Sequence, residues 1–593
     1  MRREVFRLLE VVIPEASTTI PPLIRAVRDG PTQKESINPE IDCQLVIDLL
    51  AQMSEAPEAL DALEEYLREH PGPGPSEHLG YDRWISHAGF ITTSPISMED
   101  FLKTRSVEEL VGVVADTLSN PETAPWSFRL PYAIASSAAE SPSWARRMLD
   151  GLMASGKWDS LLWDQLLAGL SRQDVELEDA YVSSLCFLLL DVLGLVPENI
   201  ATLGPRLRPI SELLLRLTDR PKISIELIDQ IEAVGASVAA LIQFGPVIDI
   251  ESSPEDIYAR AYDHWTGWIA RFWQSITSHR WQMTEASWSG LPVRTRESLQ
   301  SLLEAPDALS VYPESILAGG YDFFAAADEA WTLEWVRPLF TFKLGEDAPA
   351  RAWSSFCDGV KINERVLGHL RSDFRDAAAN LRETVGENFA ARFAEVMVRS
   401  ASDYLSDGTL LDVIAAFDEA MRLKFTETVG YWLEHRSTST FAEDQWPRWI
   451  DRYITDRIHA VPLALAGHEA GAMFPWVITA GKNFPSAVDK YVRTDPTFAE
   501  SYGTWTELKG RGVAKIYPDS AIDLIDFVLV HSDPNTFYSC EDLGGLIDQL
   551  IEGLKAEGVE KLLTICELAA QVHCADAGLW RERVRQREVE LSE

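Results

Sequence analysis

The residues best suited to hold a ligand are aromatic and lie close together: Trp265, Trp268, Trp273, Trp281 and Trp288, with Phe272 beside them. Trp265, Trp268 and Phe272 stand at i, i+3 and i+7, so on a helix they share one face, where they could stack on a base or nucleotide ring. The same spacing serves a core, because tryptophans bury large areas and pin irregular helix pairs, and packing is the expected role. Cys566, His573 and Cys574 would bring sulfur and imidazole near one metal. Structural zinc is held by closely paired ligands on two arms, however, and no fourth ligand is evident. His468–Glu469 begins like the H-E-x-x-H of zinc proteases, but the next ligand position is Ala472.

Nucleophilic catalysis needs a serine or cysteine placed by a base, and the 11 histidines select no pairing. No phosphate-binding loop occurs; Gly319–Gly320 and Gly544–Gly545 are isolated pairs read as helix ends. The acid pairs Glu64–Glu65, Glu108–Glu109 and Glu541–Asp542 are what a solvated acidic surface supplies. No catalytic, cofactor or metal residue is assigned, and no cofactor is expected.

Positioning falls to helices. A proline opening an amphipathic run, with an alanine two or three residues on, recurs as Pro57/Ala59, Pro142/Ala145, Pro349/Ala352, Pro485/Ala487 and Pro518/Ala521. Proline suits the first helical turn, where its missing N–H goes unused and its φ is already helical. Many helices starting alike predict an all-α fold, an irregular α-solenoid of stacked helical hairpins of the HEAT or TPR kind with minor β content at most. Pro485 and Pro518 lie 33 residues apart, one hairpin repeat.

At 593 residues the chain exceeds one ordinary core. With 46% hydrophobic and 24% charged residues it is expected to fold. Acids outnumber bases 92 to 53, for a formal charge of −39, which repels a phosphate backbone and disfavours direct nucleic-acid binding. Solvated acidic helix faces, or a basic protein partner, fit that charge. Cys43, Cys186, Cys357, Cys540, Cys566 and Cys574 are sparse and show no C-x-x-C spacing, which fits a reducing compartment. The opening MRREVFRLLEVVIPEAS is broken by Arg7 and Glu10 and lacks a cleavage site. The apolar stretch Leu185–Leu195 falls short of the roughly 20 residues that span a bilayer. A soluble, cytoplasmic protein is expected, without membrane contact.

Four regions are predicted. Residues 1–75 hold N-terminal helical hairpins, including one over 41–69, and end in the linker HPGPGPSEHLG at 70–80. Residues 81–220 form a helical domain that opens irregularly over 81–98. Within it Ser97 caps one helix, Ser141 and Pro142 open another that Gly156 closes, and DAYVSSLCFLLLDVLGL is apolar enough to lie inside. Residues 221–253 read as a crossover or insertion, and residues 254–593 as a C-terminal helical-repeat domain with a charged final helix, RERVRQREVELSE.

Several phrases carry a resemblance: Trp84 to Pro95, GKWDSLLW at 156–163, WSGLP at 288–292, AWTLEWVRPLF at 330–340 followed by Ala352 and Trp353, and DPNTFYSCEDL at 533–543. Together, over about 81–580, they resemble the helical C-terminal region found behind sirtuin-like domains in large bacterial antiphage defence proteins. In such proteins an NAD-consuming effector precedes a helical region that senses infection or mediates assembly. This chain shows no sirtuin-like nucleotide-binding segment. The resemblance therefore implies a separate sensor or scaffold subunit, or a chain lacking its usual effector, and transfers no catalytic residue.

The function expected is a non-enzymatic scaffold or sensor in bacterial antiphage defence, possible as an oligomer, that binds a protein partner, either an effector subunit or a phage protein. The residues that contact this partner are not legible. The rivals are an enzyme with an unrecognised site, hydrolysing NAD or cleaving nucleic acid, and an acidic decoy of a DNA-binding protein.

Overall fold

The computed structural model describes residues 106–112, 129–195, 200–220, 222–245, 254–342, 347–435, 440–498, 504–531 and 540–592. The hairpin at 41–69, the linker at 70–80, the irregular stretch at 81–98, Pro57 and the Ser97 cap lie outside them. Every regular element among the described residues is helical, so the chain is all-α there. None of these helices is long and apolar enough to cross a membrane. The chain divides into two compact units, residues 1–170 and 171–593.

Unit 1 contains α1 (Arg129–Glu140), α2 (Pro142–Ala154) and α3 (Leu161–Leu170). Helix α2 starts at Pro142 as the sequence requires and buries Trp144, Ala145, Met148, Leu149 and Leu152 on one face. It ends at Gly156, whose φ of +68° suits glycine. Helices α1 and α3 pack directly against each other. Gly169 allows this, since a Cβ there would lie 2.2 Å from the Ala135 carbonyl oxygen.

The helices of eight or more residues in unit 2 are α4 (Asp179–Gly194), α5 (Ile200–Thr218), α6 (Ile225–Ala240), α7 (Trp265–Thr284), α8 (Val293–Leu303), α9 (Asp307–Gly319), α10 (Asp347–Gly359), α11 (Glu383–Ser406), α12 (Thr409–Ala416), α13 (Glu419–His435), α14 (Asp451–Ile458), α15 (Phe484–Tyr491), α16 (Thr504–Arg511), α17 (Pro518–His531), α18 (Cys540–Gly553), α19 (Val559–Gln571) and α20 (Ala577–Ser592). Helices pack mainly on elements a few places along the chain. One succession runs α5–α7–α9–α10–α11–α13, and towards the C-terminus two run side by side, α14–α15–α17–α19 and α16–α18–α20. This is the stacking of helical pairs that recurrent starts imply. Within 221–253, residues 225–240 form α6, capped by Ser224 and buried against α4, α7 and α8.

The proline rule holds where it can be read. Pro518 begins α17, Pro485 and Pro349 lie in the first turns of α15 and α10, and Ala145, Ala352, Ala487 and Ala521 are all buried. Pro205 and Pro209 lie inside α5 and Pro313 inside α9, so a proline in this chain does not always mark a helix start. Two readings are corrected. Gly544 and Gly545 lie inside α18, not at a helix end, because a Cβ at Gly544 would meet the Trp580 ring at 2.8 Å and one at Gly545 would meet Lys509 at 2.6 Å. Helix α4 is buried on most sides, yet Phe187 faces solvent at 57% exposure.

Two kinds of contact hold unit 2 together. The first is an aromatic spine through its middle: Tyr321–Phe340–Trp353–Phe389–Phe393–Phe425–Tyr453–Trp476, each ring 5.0–6.4 Å from the next. All eight rings are buried. The second is a set of polar links between successive helical pairs, including Arg296–Asp328, Arg337–Asp373, Lys482–Glu443, Lys490–Asp451, Lys561–Asp523 and Arg583–Asp548. Such links join residues 32 to 39 positions apart, which is the length of a hairpin repeat. Exposed pairs of this kind contribute about 0–1 kcal/mol each, so burial of the spine sets the stability and the charges set the register.

Candidate functional site

The tryptophan cluster is mostly core. Trp265, Phe272 and Trp273 are at most 1% exposed and have no free face. Trp268 is half-buried, and its indole N–H donates to the Tyr262 carbonyl at 2.6 Å. Trp281 and Trp288 stack on each other at 5.6 Å, and the Trp288 indole donates to the Ala327 carbonyl. Asp328 completes this joint. One carboxylate oxygen caps the helix Glu329–Trp335 through Trp331 N–H, and the other accepts from Leu291 N–H and pairs with Arg296 at 2.7 Å. The phrases WSGLP and AWTLEW are therefore the two halves of one packing joint. Trp353 makes a second with the end of AWTLEWVRPLF, donating to the Phe340 carbonyl at 3.1 Å.

The cysteine–histidine group is not a metal site: Cys574 is disulfide-bonded to Cys540, and the described residues hold no group of metal-ligating side chains. The remaining described thiols are poor nucleophiles. Burial pushes Cys566 up to about 11 and Cys186 up to about 12, and raises Cys357 as well.

Two hydrogen-bonded constellations look like chemistry. Tyr321, His369 and Glu329 form a hydrogen-bonded chain, with the Tyr321 hydroxyl 3.2 Å from His369 Nδ1 and His369 Nε2 2.8 Å from Glu329. The tyrosine is wholly buried and its hydroxyl is raised by that burial, so it is out of a substrate's reach. Tyr258 and Tyr262 share a hydrogen bond of 3.0 Å beside Gly319 and Gly359, and burial again raises Tyr258.

His264 carries a measurable pH dependence. It caps α7, with Nδ1 accepting from Thr266 N–H at 3.2 Å, and its ring stacks on Tyr312 at 4.1 Å. Burial, and secondarily Arg208, lower it to about 4 from an ordinary 6.5. Between these values the unfolded chain binds the extra proton, so the stabilisation is complete above pH 6.5 and is lost as pH falls towards 4. His264→Asn keeps a cap acceptor and does not titrate. From pH 7 to 4.5 the wild type should lose about 2 kcal/mol more than this variant in urea unfolding; equal losses would refute the assignment.

The most elaborately built site lies under the loop from His459 to Ala466, HAVPLALA. Arg457, fully buried on α14, sends its fork to both carboxylate oxygens of Glu469 at 2.6 and 2.8 Å. Its remaining donors reach the Tyr453 hydroxyl at 3.0 Å and the loop carbonyls of Leu463 and Ala464 at 3.3 and 3.4 Å. Arg422 adds a second positive charge 3.6 Å from Glu469. Above this anchor the chain turns at Ala460, with φ +61°, and presents Val461 to solvent at 44% exposure. The buried bidentate pair thus pins a loop whose apolar Val461 faces solvent. Sequence reading passed over it, since Glu469 drew notice only as part of a failed zinc motif. The available signal was Tyr453 and Arg457 at i, i+4 on a helix followed by an acid inside the apolar run AGHEAGAMF.

No family model matches the chain, and no curated protein matches it.

Proposed function

We propose that this chain is a non-enzymatic helical-repeat scaffold or sensor in bacterial antiphage defence, which binds a protein partner and regulates a separate effector. The observation that carries the scaffold reading is the succession of polar links 32 to 39 residues apart, through which each helical pair of unit 2 grips the next. A stack of this kind passes small changes at one joint to its neighbours and offers a broad surface to a partner. The defence context rests on the aromatic phrases and their resemblance to helical regions behind sirtuin-like domains. Exposed rings supply contact residues of the type that dominates interfaces: Phe187 at 57% and Tyr431 at 56% exposure, the latter already ordered by stacking on His435 at 4.3 Å.

Affinity isolation from phage-infected and uninfected cells tests the reading. Recovery of a defence effector or a phage protein is expected, reduced about tenfold by Phe187→Ala with Tyr431→Ala at unchanged melting temperature. Recovery of neither class under both conditions, or NAD turnover by the purified chain, would overturn it.

A further inference from the structure

We infer that Cys540–Cys574 is a reversible clip, opened by a dithiol of the thioredoxin class, that governs how firmly α20 is held on α18. The bond joins the first residue of α18 to the turn after α19, with the two Cα atoms 5.4 Å apart and the cysteines 34 positions apart in sequence. That separation falls within the repeat-length range of the other links in unit 2. Cys540, Gly544 and Asp548 follow one another at single-turn intervals along one face of α18. They meet Cys574, Trp580 and Arg583 in the same order: the disulfide first, then the Trp580 ring seated on Gly544, then the Arg583–Asp548 ion pair.

The clip is the strongest of these three rungs. Arg583 and Asp548 are each about half exposed, so their pair is weak. Of its sixteen residues α20 buries only Ala577, Trp580 and Val584, and the rest is largely charged. Helix α20 also packs on α19, with the Arg581–Glu567 ion pair at 3.0 Å, but has little apolar area to keep it on α18 once the covalent rung opens.

The sulfurs differ in access: Cys540 is half-buried and Cys574 is 4% exposed. A reductant thiolate attacks Cys540 Sγ, the S–S bond breaks, and Cys574 leaves as a thiolate that takes a proton. The second reductant thiol then attacks the mixed disulfide, releasing Cys540, which is protonated in turn. The protein gains two electrons and two protons while the dithiol becomes a disulfide, and the reverse exchange closes the clip. Cys566, buried on α19 at 1% exposure, is shielded from this exchange.

The full chain, equilibrated first with oxidised glutathione and then with dithiothreitol, tests the clip by alkylation, peptide mass mapping and limited trypsin digestion. Before reduction Cys540 and Cys574 should resist alkylation; afterwards both should be labelled. Cleavage within α20 at Arg581, Arg583 and Arg585 should quicken about tenfold on reduction, while cleavage between α10 and α13 stays constant. Cys574→Ser should be cleaved at the fast rate under both conditions. Labelling of either cysteine in the oxidised chain, or equal α20 cleavage in wild type before and after reduction, overturns the proposal without reliance on the variant.

Discussion

Replacing Glu469 with alanine should destabilise unit 2 by about 3–5 kcal/mol in urea unfolding followed by tryptophan fluorescence. The magnitude follows from what is left behind. Arg457 has no exposed side-chain surface and Arg422 only 14%, so removal of the single carboxylate strands two guanidinium groups away from water. Removing both members of the close pair, as Arg457→Met with Glu469→Leu, takes away the deeper of the two stranded charges and leaves Arg422 its bond to the Phe417 carbonyl, so it should recover part of the loss. Arg457→Lys should behave nearly as badly as Glu469→Ala, because one ammonium cannot reach Glu469, Tyr453 and the carbonyls of Leu463 and Ala464 together. Proteolysis at the 459–466 loop should rise in both single variants. A loss below about 1 kcal/mol for Glu469→Ala would show that water reaches the pair and that the loop is not pinned by it.

Trp353→Ala is the second large effect, expected to cost about 3–5 kcal/mol and to fall at the upper end of that range. Trp353 is wholly buried and its ring meets Phe340, Phe356, Phe374 and Phe389 at 5.0–5.7 Å. Four aromatic neighbours lose a partner at once, and the Phe340 carbonyl loses its indole donor. Because each helical pair contacts mainly its neighbours, the damage should be regional. Hydrogen exchange should accelerate from Tyr321 to Phe425 along the spine and remain slow in α17 to α19. Uniform acceleration through unit 2 would mean that it unfolds as one block rather than as a stack.

The helical architecture was legible because its signals are local. A proline fixes its own φ wherever it stands, and an apolar residue every three or four positions makes a stripe before any partner is known, so Pro142, Pro518 and the buried Ala145 and Ala521 needed no tertiary information. Tryptophan burial was legible for the same reason: Trp265 and Trp273 have too much apolar area to be left in water. The glycine pair at 544–545 misled, since a glycine that ends a helix and one that admits a neighbouring side chain look alike in sequence.

The candidate site was decided only by docking. A glutamate at 469 has the same neighbours in sequence whether it faces water or a buried guanidinium, and only the approach of α14 to the helix Gly467–Ala472 turns it into half of an ion pair. Asp328 is likewise an ordinary cap until the WSGLP turn arrives, and Cys540 an ordinary thiol until the turn after α19 brings Cys574 within bonding reach. Sequence alone determined that the described residues are built of helices, where those opened by Pro142, Pro349, Pro485 and Pro518 begin and that the alanines after them are buried, because those follow from backbone dihedrals and apolar area residue by residue. Tertiary structure alone decided which charges, rings and sulfurs meet, because a Coulomb or covalent partner is selected by distance in space, and the links between helical pairs join positions 32 to 39 apart along the chain.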